Sequence, residues 1–342
     1  MRHCFLTVTD AAFFPGTLAT VNSVREFHPE AEIVVVQNDK HPLTAAQAAY
    51  LGERRGVRVL PSAAFALPGR FINAWELKAY AACDLAEGYE VIIGIDSDCL
   101  LCGRVDDAIA RCAEIGGILG GQDGDHVDYG PAYRCYGIAT PARNPRYLST
   151  SLYFCAVTGP NRQLLRRWAE CCSAAQFNGT GPHPGHGDQG VLNAVLFAAN
   201  AGSRVGLLDN RLWSQHWVYW SSAIHHDGTR FINRTAGDQP QRSFHCSGGE
   251  KFWTREHADR VARGHGLQLY PYLWFLAMYW FGPGDDRGLP APELLPAGSQ
   301  HLLADLVTYR PHIFPICSRA RSRWERLHQA MLDQAQGGIP GA

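Results

Sequence analysis

The sequence predicts an α/β protein with a mostly parallel sheet covered by helices on both faces, and three observations carry that expectation. Short β-prone runs alternate with helix-patterned segments from the first residues as far as Ile95. One of these runs, Glu90 to Ile95, is continuously apolar and β-branched, as a strand covered on both faces must be. The chain of 342 residues is 46% hydrophobic and 18% charged, which provides apolar surface for a large core and excludes a disordered polar chain.

The elements follow in order. His3 to Thr9 reads as a strand, Pro15-Gly16 as a turn and Thr17 to Phe27 as a helix, and Glu32 to Gln37 is the second strand. Leu43 to Arg55 is helix-like, Val57 to Leu60 strand-like and Ile72 to Glu87 helix-like, which completes a β-α-β-α-β-α series before the buried strand. Gly116 to Gly137 is rich in Gly and Asp and reads as loops, Ser151 to Val157 as a strand and Asn161 to Gln176 as a helix. A turn-rich loop, Thr180 to Gly187, leads to a helix from Asp188 to Ala199. From about His257 the pattern is helical, broken by the Gly/Pro-rich run Gly282 to Gly298. The division expected is therefore an α/β domain over 1–256 and a helical extension over 257–342.

Charge and cysteine usage narrow the function classes. A formal net charge of −1 argues against nucleic acid as a partner, since phosphate binding calls for a basic stripe. Nearly all cations are Arg, and the three lysines, Lys40, Lys78 and Lys251, merit inspection because an ammonium and a guanidinium do different work. Eleven cysteines, an odd number scattered through apolar contexts, read as buried free thiols in a reducing cytoplasm. The first ten residues carry no long apolar stretch or small-residue cleavage site, so no signal peptide is expected. The aromatic segment Leu267 to Phe281 is too short to span a bilayer and reads as a core or dimer helix. It leaves open a homodimer and peripheral association with the inner membrane.

Three motifs carry chemistry. Asp96-Ser97-Asp98 follows the buried strand directly, where a parallel sheet opens its ligand crevice. Residues two apart in extended backbone point to one side, so the two carboxylates suit a hard divalent cation such as Mn²⁺ or Mg²⁺. A second such triplet, Asp123-Gly124-Asp125, lacks the flanking apolar runs and reads as a solvated loop. His245, Gly248 and Lys251 form an H-x-x-G-x-x-K spacing that chance would produce only about 0.01 times in a chain of this composition. An imidazole there can complete a metal site, and an ammonium can neutralise a departing diphosphate. Asp188-Gln189 opens the helix after the turn-rich loop. Capping would explain Asp188 alone, whereas the pair could also hydrogen-bond a polyhydroxylated ligand.

Together with the N-terminal Thr7-Val8-Thr9-Asp10-Ala-Ala-Phe13-Phe14, these motifs in this order resemble glycosyltransferase family 8 over residues 3 to 253. The resemblance implies a GT-A fold and retaining transfer of a hexose from a UDP-sugar to a hydroxyl acceptor, with Mn²⁺ or Mg²⁺ as cofactor. It also implies site residues: Asp96, Asp98 and His245 on the metal, Lys251 on the diphosphate, and Asp188 and Gln189 beside the donor sugar. Thr7, Thr9, Asp10 and Phe13 or Phe14 would form the nucleotide pocket, with Lys78, Ser97 and Gly248 also on the nucleotide. Two departures stand out. Ser149-Thr150-Ser151 replaces the family's Asn-Ser/Ala-Gly, and Phe252 replaces the Pro that follows the motif lysine. The rival readings are an inverting GT-A transferase with a carboxylate base from 123–128, a nucleotide-sugar-binding protein with weak catalysis, and a metal-dependent nucleotidyltransferase.

Overall fold

The computed structural model describes residues 1–65, 74–123, 146–174, 187–199, 201–213, 215–216, 223–247, 250–263, 269–283, 290, 294–296 and 298–326. In chain order the strands are β1 (His3–Thr9), β2 (Glu32–Gln37), β3 (Val57–Pro61), β4 (Val91–Ile95), β5 (Cys99–Leu101), β6 (Ile118–Gln122), β7 (Leu148–Ala156), β8 (Val205–Leu208), β9 (Gln215–His216), β10 (Ile224–His226), β11 (Phe231–Asn233), β12 (Gln239–Pro240) and β13 (Ser243–His245). The helices are α1 (Phe14–Phe27), α2 (Ala45–Gly52), α3 (Ala74–Leu85), α4 (Asp106–Ile115), α5 (Gly159–Ala174), α6 (Gly187–Ala198), α7 (Asn210–Trp213), α8 (Arg255–Ala262), α9 (Leu269–Phe281) and α10 (His301–Ile316).

Seven strands form the central sheet in the order β3-β2-β1-β4-β7-β6-β8. The sheet is mostly parallel as expected, and β7 alone runs against its neighbours β4 and β6. Side-chain alternation divides the apolar residues between two cores. Phe5, Ile33, Val35, Ile93, Ile95 and Phe154 face α1, α4, α9 and α10. Cys4, Leu6, Val34, Val36, Ile92 and Tyr153 face α3, α5 and α6. This is why the β4 run had no polar alternation.

Helix starts and stops follow local chemistry. The Asp10 carboxylate accepts the backbone N–H of Ala12 and Phe13 at 2.9 and 3.0 Å, and Pro15 sits in the first turn of α1, so that helix begins before the Thr17 expected from sequence. Thr44 and Gln47 make a reciprocal capping box on α2. Gly116 ends α4 at φ 55°, a left-handed position that disfavours other residues.

One stretch expected to be loops holds a strand: β6 pairs with β7 on one side and β8 on the other. Gly120 and Gly121 hid it from a propensity reading, yet a Cβ at Gly120 would lie 2.8 Å from the Ser149 carbonyl oxygen. Residues 124–137 of that stretch, including Asp125, lie outside the described residues.

The aromatic segment of the tail is α9, with every side chain from Pro271 to Phe281 buried. It packs on α1, where the Asn22 amide donates to the Met278 carbonyl at 2.6 Å, and the Trp274 indole donates to Leu101 O at 2.8 Å. Its apolar surface is thus taken up inside the fold. Among the described residues no helix is long and apolar enough to cross a membrane.

Two buried imidazoles make the fold acid-sensitive. His28 follows α1, and its Nε2 accepts the backbone N–H of Val105 at 3.2 Å. Burial, only partly opposed by Asp106, brings its pKa down to about 4, and burial beside Arg260 brings that of His257 down to about 3. Between the ordinary histidine value of 6.5 and about 4, the unfolded chain takes up a proton at position 28 and the native state does not. Stability therefore falls as pH falls through that window, by about 3 kcal/mol from His28 alone. Urea midpoints should drop between pH 7 and pH 5, and His28→Gln should flatten the slope; an unaltered slope in that variant would assign the acid loss elsewhere.

Candidate functional site

The candidate site lies at the carboxyl ends of β1 and β4, the position a parallel sheet leaves open for ligands. Segments distant in sequence meet there, and backbone pairing accounts for the most distant of them. β13 pairs antiparallel with β5, so that His245 lies opposite Cys99, and Cys246 N–H donates to Asp98 O at 3.0 Å. This pairing carries the imidazole to the acidic triplet.

Asp96, Asp98 and His245 each offer one ligand atom, and these atoms lie within 4.8 Å of one another. The two carboxylates are arranged alike. Asp96 accepts Lys78 Nζ on Oδ1 at 2.6 Å and turns Oδ2 toward His245 Nε2 at 3.9 Å. Asp98 accepts Lys251 Nζ on Oδ2 and turns Oδ1 toward the same Nε2 at 3.4 Å. Each carboxylate thus spends one oxygen on an ammonium and points the other at the imidazole. The donor set, two carboxylate oxygens and one imidazole nitrogen, fits a divalent cation such as Mn²⁺ or Mg²⁺.

The electrostatics follow from this packing. Burial alone would lift the Asp98 carboxyl, but His245 and then Lys251 beside it hold it well below the usual carboxylate range. Burial opposes charge on Lys78, yet Asp188 and Asp96 outweigh it and raise the ammonium above its ordinary value. Asp98 opposes the same burial effect on Lys251, whose pKa is also raised. Asp188 is pushed up by burial, with Lys78 opposing.

Lys78 links the metal-type cluster to the start of α6. Its Nζ lies 3.2 Å from Asp188 Oδ2 and donates to Thr150 O at 2.9 Å. Asp188 therefore sits within the first helical turn with its carboxylate directed to Lys78 and Thr150, where capping was the competing expectation. Gln189 Oε1 accepts Thr150 N–H at 3.1 Å, and Gln189 Nε2 donates to Asp123 Oδ2 at 2.8 Å.

The N-terminal residues divide. Thr7 and Thr9 are buried at the end of β1, with Thr9 against Thr17, and the Asp10 carboxylate holds the turn before α1 through the N–H groups of Ala12 and Phe13. Phe14, expected beside the nucleotide, is fully buried in the core against Tyr50. Phe13 is the one at the site: its ring lies 5.7 Å from Lys251 Nζ and 5.3 Å from the Trp253 ring. The reason is helical direction, since α1 starts one residue later and turns Phe14 inward. Ser97 is buried, and Gly248 lies outside the described residues. So do His183, His186 and the aromatic residues Trp217, Tyr219 and Trp220.

Residues that sequence reasoning passed over complete the site. Thr150 is a hub for Lys78, Asp188 and Gln189. Asp123, read as part of a solvated loop, holds the Gln189 amide. Gly16 lies where three motifs converge: a Cβ there would lie 2.2 Å from the Trp253 ring and 2.3 Å from Ser97 O. The Pro15-Gly16 pair signalled a turn, and only the structure shows that the missing side chain makes room for Trp253.

The fold defines the class as α/β with a mostly parallel seven-stranded sheet between two layers of helices, and solved structures share that fold. The particular neighbours are these. A bifunctional glycosyltransferase, WbbM, in its apo form matches at TM-score 0.51 and 14% identity over 82% of this chain and 50% of that one, so the chain spans half the length of that protein. Galactosyltransferase LgtC in complex with donor and acceptor sugar analogs matches at TM-score 0.47 and 17% identity, covering 78% of this chain and 95% of that one. The glycosyltransferase GlyE of Streptococcus pneumoniae TIGR4 matches at 0.45 and 12%, covering 75% and 57%. No family model and no curated protein matches the chain.

Proposed function

We propose that the protein is a divalent-metal-dependent glycosyltransferase of family 8 type that moves a hexose from a UDP-sugar to a hydroxyl acceptor with retention at the anomeric carbon. The observation that carries this reading is the convergence of Asp96, Asp98 and His245, flanked by Lys78 and Lys251, at the open end of the sheet. That combination suits a bound cation and a diphosphate together. A nucleotidyltransferase would use the carboxylates but leaves His245 and Lys251 without a role.

Asp96, Asp98 and His245 would hold Mn²⁺ or Mg²⁺, which supplies Lewis-acid neutralisation of the diphosphate. Lys251 would move its ammonium charge onto the departing phosphate as negative charge builds there. Lys78 keeps Asp188 and Asp96 in fixed relation, and Gln189, whose amide is fixed by Thr150 and Asp123, would contact the sugar with its remaining N–H and lone pair. The leaving phosphate oxygen can take the acceptor proton on the face where it departs, so retention follows without a side-chain base. An inverting enzyme would require a carboxylate base on the opposite face, for which the 123–128 segment is the sequence candidate, and the product anomer separates the two.

The test is a panel of UDP-sugars incubated with Mn²⁺, scored for UDP release with and without sugar acceptors, the product anomer then read by proton NMR. Retained configuration from one preferred donor is expected. Inverted product would move the assignment to the rival mechanism, and binding of donor without UDP release would make this a nucleotide-sugar-binding protein.

A further inference from the structure

We infer that Phe275 of α9 is a positioning residue for Lys251, and that the C-terminal helices therefore form part of the donor site. The inference rests on the reading of Lys251 given above, but its geometry stands apart from it. Lys251 reaches the acidic cluster between two anchors. On one side Cys246 N–H is tied to Asp98 O, and Lys251 Nζ itself donates to Cys246 O at 2.9 Å. On the other side the anchor is aromatic and comes from the tail.

Phe252, the residue that departs from the family pattern, is fully buried and stacks on Phe275 at 5.6 Å with the rings 19° apart. Its neighbour Trp253 lies 6.2 Å from the same Phe275 ring, and Phe252 meets His257 edge-on at 5.3 Å. Phe275 in turn continues a column with Tyr272 and Tyr279 along α9. A proline at 252 would stiffen the backbone from within through its fixed φ. Here a phenylalanine leaves φ free, and the stack on α9 supplies the restraint instead. Since Phe252 adjoins Lys251 in the chain, any slackness at the stack is passed to the ammonium within one residue. Thr254 bonds back to Lys251 O at 2.9 Å and adds to the same rigid turn.

Three lysines in the whole chain make the test direct. Brief acetic anhydride labelling, read by mass spectrometry, should find Lys251 protected in the wild type. In Phe275→Leu, which keeps the site apolar but removes the stacking, Lys251 labelling should rise about three- to tenfold, the worth of one aromatic pair, with Lys78 unchanged. The affinity for UDP relative to uridine should fall by a similar factor, and that loss should vanish in a Lys251→Gln background. Phe252→Leu probes the same stack from the other side, and Phe275→Met serves if the leucine variant does not fold. Unchanged Lys251 labelling in any folded variant, or a UDP loss that persists undiminished beside Lys251→Gln, overturns the inference. A wild type that binds no UDP would remove the proposed function, while the labelling comparison would still decide whether Phe275 positions Lys251.

Discussion

Asp98→Asn is expected to lower sugar transfer about a thousandfold, with metal affinity lost in parallel and cooperative unfolding retained. The substitution keeps the shape of the side chain but removes the charge that both His245 and Lys251 face. Backbone contacts at this position survive, because Cys246 bonds to the Asp98 carbonyl and not to its carboxylate. The Lys251 ammonium loses its carboxylate partner yet keeps its bond to Cys246 O at 2.9 Å and has 14% of its side chain exposed, so it avoids the full cost of a stranded buried charge. The effect should fall on turnover more than on fold. Calorimetric titration with Mn²⁺ and the UDP-release rate, measured on one preparation, check both halves. Full activity in the variant would leave the metal assignment without support.

The part of this site that the sequence made legible is the part built from rare residue types at short spacing. Asp96 and Asp98 were visible because they interrupt apolar runs, and His245 and Lys251 because lysine is scarce in this chain. The spacing could not show how the two groups meet. That depends on β13 pairing with β5, two three-residue strands whose propensity signal is weak. The parallel half of the sheet was legible through its continuous β-branched runs, whereas β6 was not, since Gly120 serves close approach to Ser149 and its glycines carry no strand preference. Thr150 and Asp123 stayed hidden for a different reason. Each acts by holding a neighbour from a remote segment, and a hydrogen bond between residues 39 or 66 positions apart leaves no local pattern. Phe14 and Phe13 differed only by helical phase, which turns on where α1 begins.

Lys78→Met should produce the largest loss of stability among single substitutions at the site, about 3 kcal/mol. Methionine can follow the course of the lysine stem, so the variant isolates the charge from the packing. Lys78 is 6% exposed and touches both Asp96 and Asp188, and Asp188 is equally buried. Without the ammonium, Asp188 is left as a buried carboxylate with Asp96 as a like-charged neighbour. Asp96 retains 33% side-chain exposure and water screens it in part, which is why the lower end of the range for broken buried pairs applies. The pH dependence gives the argument its sign. Burial already raises Asp188 above 3.8 with Lys78 opposing, and removing Lys78 raises it further. A group whose native pKa lies above its unfolded value is better tolerated in its protonated form, so the cost of the substitution is full at neutral pH and shrinks as pH falls toward 3.8. The gap between the urea midpoints of the two proteins should therefore shrink as pH falls from neutral toward 3.8, and Mn²⁺ should narrow it at neutral pH by returning positive charge to the cluster. A difference between the two midpoints that stays constant across pH and metal would mean that Lys78 contributes through packing against Tyr153, whose ring lies 5.9 Å from its Nζ, and not through the carboxylates it bridges.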